Sequence, residues 1–168
     1  MSEKNSEKVF REELNTLKTM PEIRQMQNYA QHRGNTTYKH CVDVAEKSFA
    51  IAEKLHLDIS EKELARGAML HDFYLYGTDT MEKSAYRHGV SHPEEALNNA
   101  RELFDLSERE ENIIRSHMWP LTLFHVPKYR EAVLVSMADK YCASVEMLHM
   151  REMRARVRKM MRRFKTAG

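Results

Sequence analysis

Apolar side chains recur at intervals of three and four along most of this sequence, and few residues interrupt them. In the stretch LARGAML, Leu64 and Ala68 fall on one helix face. Cys41, Val44, Ala45, Phe49, Ala52 and Leu55 form a second inner stripe, and Ala132, Val135 and Ser136 a third. Only five Gly and four Pro are available as breakers, against 12 Met. No segment sustains the period-two alternation of a half-buried strand. The expected fold class is therefore all-α. Ser60 with Glu63, Ser91 with Glu94 and Ser107 with Glu110 each fit a capping box, in which a hydroxyl and a carboxylate satisfy free amides at a helix start. The pattern predicts helices over residues 7–18, 22–29, 37–55, 61–72, 92–104, 108–117 and 128–159. Loops are expected around Gly34-Asn35, over 73–87 and over 119–127.

Polar side chains interrupt the inner stripes at six places. The stripe of Leu64 and Ala68 runs directly into His71-Asp72. His40 shares a face with Val44, and His92 with Ala96 and Ala100. His117 lies one turn beyond Ile113 and Ile114, and Asp139 continues the stripe of Ala132 and Val135. One inward histidine is ordinarily a hydrogen-bonded core residue. A buried carboxylate is costly without a partner. Six such residues on five helices ask for a common compensating charge, which a dication supplies. Four His and two Asp suit Fe, Mn or Zn, and are too rich in nitrogen for Ca or Mg alone.

The order His40, His71-Asp72, Asp139 resembles the HD superfamily of metal-dependent phosphohydrolases over about residues 37–146. The run Tyr38-Lys39-His40-Cys41-Val42-Asp43-Val44-Ala45, the lead-in LARGAML and Ala138-Asp139 carry the likeness. It implies a helical bundle around a central metal. His92-Pro93 and the run Ile113-Ile114-Arg115-Ser116-His117 look like the two-metal version. On that likeness His40, His71, Asp72 and Asp139 would hold one metal. His92 and His117 would hold a second, with Asp72 bridging and so counted as catalytic. Water activated between the metals would attack phosphorus.

Further candidates sit around that centre. His88, Lys140 and Arg33 are expected to act as acid or phosphate contact, and His32, Arg87 and Tyr74 to touch substrate. Lys140 has a second expected role, pairing with Glu146. The chain lacks the Gly-Tyr-Pro signature of cyclic-dinucleotide phosphodiesterases. It has Leu75-Tyr76 where alarmone hydrolases carry Glu-Asp, and no Glu just beyond the HD pair as in 5′-nucleotidase-like members. It looks nearer to compact stand-alone HD proteins that cleave dinucleoside polyphosphates. The expected substrate is a small phosphorylated, nucleotide-like molecule.

Charge is unevenly spread. Residues 151–168 carry eight Lys/Arg and one Glu, net +7, so the first 150 residues carry −5 against the whole chain's +2. The division expected is a single domain over 1–168, with a motif-bearing core at about 37–146 and a basic helix at about 147–165. That helix is expected to present a solvated basic face while packing on the bundle. An alternative is a non-catalytic, metal-stabilised scaffold gripping RNA or an acidic partner through the basic helix. No apolar run approaches the roughly 20 residues of a membrane span. The mixed-charge start and the two distant cysteines, Cys41 and Cys142, fit a cytoplasmic setting. The oligomeric state, homo-oligomer included, stays open.

Overall fold

The computed structural model describes residues 3–29, 35–73 and 85–166, with side chains given except at 3, 85–89 and 159–166. Among the described residues there is no strand. The order is α1 (Glu3–Thr19), α2 (Pro21–Gln25), a 3-10 turn (Met26–Asn28), α3 (Thr37–Lys54), α4 (Glu61–Leu70), α5 (Ala85–Leu103), α6 (Glu108–Ser116) and α7 (Arg130–Thr166). The fold is an all-α bundle, as the spacing of apolar residues predicts.

α4 occupies the middle. Leu64, Ala65, Gly67, Ala68, Met69 and Leu70 are all buried. Its small residues let α1, α3, α6 and α7 close around it. Gly67 permits the tightest approach: a β-carbon there would stand 2.6–2.9 Å from side-chain atoms of Ile113 in α6. α1 lays Phe10, Leu14 and Leu17 into the core, and the Phe10 ring stacks on Phe49 of α3 with centroids 4.2 Å apart. Leu55, expected on the inner stripe of α3, is instead 59% exposed, because the helix has closed just before it.

Helix ends are set by specific bonds. The Thr36 hydroxyl accepts from the Lys39 amide at 3.2 Å and starts α3. At the other end His56 takes a left-handed φ of 49°. The amides of His56 and Leu57 then donate to the carbonyls of Glu53 and Ala52, each at 3.0 Å. Of the three expected capping boxes, only Ser107 with Glu110 forms with both arms, at the start of α6. The Ser60 side chain does not cap α4; Glu131 of α7 reaches across and accepts the Ser60 amide at 2.7 Å. Ser91 and Glu94 lie inside α5, which begins at Ala85 rather than His92 and runs through Pro93. Packing of Ala96, Leu97 and Ala100 into the core, against α6, holds the helix together across the proline.

α7 is longer than expected and does not fold back. Beyond Glu146, every residue from 147 to 158 is exposed except the half-buried Met150. The described part of the basic segment, residues 151–158, is solvated and runs out from the body instead of packing on it. None of the described helices is long and apolar enough to cross a membrane.

Candidate metal centre

His40 occupies the first turn of α3, so its ring turns with Cys41 and Val44 toward α4 and α7. His71 and His117 stand at equivalent places, each the first residue past the end of its helix, still with helical backbone angles. Asp72 follows His71. His92 and Asp139 come from the interiors of α5 and α7. All six are buried, from 0% exposure for His40 and His71 to 8% for Asp139.

Backbone carbonyls orient two of the rings. His71 Nδ1–H donates to the Ala68 carbonyl and His117 Nδ1–H to that of Ile114, both at 2.7 Å. A carbonyl only accepts, so each Nδ1 carries a proton and each ring turns its Nε2 to the centre. These Nε2 atoms converge on Asp72. Its Oδ2 lies 3.5 Å from His71 Nε2 and 3.9 Å from His40 Nε2. Its Oδ1 lies 3.3 Å from His92 Nε2 and 3.5 Å from His117 Nε2. Asp139 Oδ1 joins the first group, 3.1 Å from His40 Nε2 and 3.9 Å from His71 Nε2. His92 Nε2 and His117 Nε2 are 2.8 Å apart.

Two sets of donor atoms thus share one carboxylate. His40, His71 and Asp72 form one group that could hold a metal ion, and Asp72, His92 and His117 the other. A transition metal bound at about 2.0–2.2 Å places neighbouring donors roughly 3.0–3.5 Å apart, and the observed separations bracket that range. His71 Nε2 adds a further test. It is buried with no hydrogen-bond partner and faces carboxylate oxygens, an arrangement that repels unless a cation lies between. The donors present therefore fit a divalent transition metal.

The same crowding biases protonation. Burial alone would lower His40, but hydrogen bonds to Asp139 and Glu146 and the charge of Asp72 push it up to about 10. Burial would raise Asp72, yet the surrounding imidazoles, His71 foremost, hold it well below the usual carboxylate range. Burial and the neighbouring His92 bring His117 down to about 3, so it stays neutral.

Other expected site residues divide. His32, Arg33 and Tyr74 lie outside the described residues, as do the side chains of Arg87 and His88, whose backbone belongs to α5. Lys140, expected to meet phosphate or pair with Glu146, does not make the second contact. Its ammonium donates to the His117 carbonyl at 2.9 Å and to the carbonyl and hydroxyl of Ser136 at 3.0 and 2.9 Å. It thereby caps the C-terminal end of α6, where a cation is favoured by the unsatisfied carbonyls. Glu146 is instead turned to His40 and Asn35. Sequence reading assigned neither Glu146 nor Asn35 to the centre. The available signal was spacing, since Glu146 lies seven residues, two helical turns, past Asp139.

The family model of the HD domain matches residues 37–144. That covers more than half of the chain, which belongs to the HD domain family. Members of this family are generally metal-dependent phosphohydrolases, though some are not enzymes. Comparisons with curated proteins and with solved structures gave no match.

Proposed function

We propose that the protein is a metal-dependent phosphohydrolase that cleaves a phosphoester or phosphoanhydride in a small nucleotide-like substrate. One observation carries this reading: the two oxygens of Asp72 face two separate nitrogen groups, His40 with His71 on one side and His92 with His117 on the other. Sharing a carboxylate in this way is what a two-metal centre requires. Bound Fe, Mn or Zn would supply polarisation of the phosphoryl group and a more acidic water nucleophile.

The chain's own residues do the rest. Asp72 stays ionised and offers one oxygen to each half of the centre. His71 and His117 present their Nε2 lone pairs inward, fixed by carbonyls at Nδ1. Lys140 pins the backbone that carries His117. Burial of all six donors keeps bulk water from competing with the substrate's phosphoryl oxygens. Protonation of the leaving oxygen falls to His88 in this scheme, with Arg33 as a charged hydrogen-bond donor to the phosphoryl oxygens and His32, Arg87 and Tyr74 as substrate contacts.

Asp72→Ala tests the reading most directly. Metal content falls from about two ions per chain toward zero, and hydrolysis in a phosphoester and dinucleoside-polyphosphate screen drops at least about a thousandfold. Undiminished turnover by the purified variant would sink the proposal. The exposed basic stretch of α7 favours a second reading, a scaffold that holds RNA or an acidic partner. There, binding weakens with salt and disappears when residues 151–168 are removed. Equal RNA binding by the full and shortened chains excludes it.

A further inference from the structure

The His40 ring lies between two carboxylates from one helix. Its Nε2 is 3.1 Å from Asp139 Oδ1, and its Nδ1 is 3.1 Å from Glu146 Oε1. Asp139 and Glu146 are two turns apart on α7, so one face of that helix brackets the ring from both sides. The Glu146 oxygen is itself placed by the Asn35 amide, which donates to the same Oε1 at 2.8 Å. Asn35 is held in turn, its own side-chain oxygen accepting the Thr36 amide at 3.0 Å. Thr36 is the residue that caps α3, the helix bearing His40. A closed circuit of bonds therefore joins the start of α3 to α7 through Glu146.

This support differs from that given to the other oriented rings. His71 and His117 rest on neutral backbone carbonyls, whereas His40 rests on a carboxylate. A carboxylate at Nδ1 does two things that a carbonyl does less well. It fixes the tautomer that leaves Nε2 facing the centre, and it draws the N–H proton so that Nε2 becomes a better donor.

We propose that Glu146 is the positioning residue for His40, setting how tightly the half of the centre containing His40, His71 and Asp139 holds its metal. The inference rests on the two-metal reading above. Its test is metal affinity of the full-length chain, by competition of Mn or Zn against a chromogenic chelator, alongside melting of the metal-free protein. Glu146→Leu removes the acceptor; Glu146→Gln keeps an oxygen at Nδ1 without its charge.

The expected result is graded. One of the two ions is weakened about 10- to 100-fold in Glu146→Leu and by a smaller factor in Glu146→Gln. The other ion, on His92 and His117, is held as in the wild type. Affinities of both variants within about twofold of wild type overturn the role of Glu146. So does an equal weakening of both ions, which marks Glu146 as general structural support. A wild-type chain that binds no metal at all defeats the underlying reading instead, so the two failures are told apart.

Discussion

Gly67 stands where α4 crosses α6, and a methyl group there would press on the β-carbon and both branches of Ile113. Alanine favours helix over glycine by about 1 kcal/mol, but overpacking a core costs about 1–3 kcal/mol. Ile113 is β-branched and stiff, so the clash is expected to win. Gly67→Ala should lose about 1–2 kcal/mol in urea unfolding, and less in an Ile113→Ala background; equal losses in both would remove Ile113 as the cause. The sequence hides this position, because the near approach joins residues 46 places apart. His71-Asp72 was legible for the opposite reason. Two costly polar groups at the end of an apolar stripe are tolerated only where something compensates both. The intramolecular partners of Lys140 were not legible, since adjacency to Asp139 in the chain does not say which way a long flexible side chain turns. In the fold it found the carbonyls at the end of α6.

Helix existence was easy to read and helix starts were not. A Ser followed three residues later by Glu occurs at 60, 91 and 107, yet only Ser107 forms the reciprocal pair. At Ser60 the amide is claimed by the buried carboxylate of Glu131, which also accepts from Arg109 at 2.7 Å. At Ser91 the helix is already under way. Local chemistry proposes a start, and packing decides whether it is used. Ser107→Ala should therefore destabilise the protein by about 0.5–2 kcal/mol, and Ser91→Ala should not act through a lost cap. Denaturant midpoints for the two variants, compared at equal slope, provide the check. A loss for Ser91→Ala as large as for Ser107→Ala would return that position to the role of a helix start.

At the scale of the molecule, five helices deliver donors to one point, and a basic helix leaves the body from the same α7 that supplies Asp139. Residues 151–158 are all exposed. Deleting residues 151–168 should then leave the melting temperature and phosphoester hydrolysis unchanged in calorimetry and turnover assays. A clear drop in melting temperature would mean that the extension is held by the body in solution. The burial of the centre bears on time as well as on affinity. With His40, His71, Asp72 and His117 at 2% exposure or less, an ion leaves the centre by a local opening of the residues packed around it. Loss of metal to an added chelator should accordingly proceed at the pace of that opening. Its rate should level off as chelator is raised, and a rate that climbs in proportion without limit would reveal a standing passage to solvent.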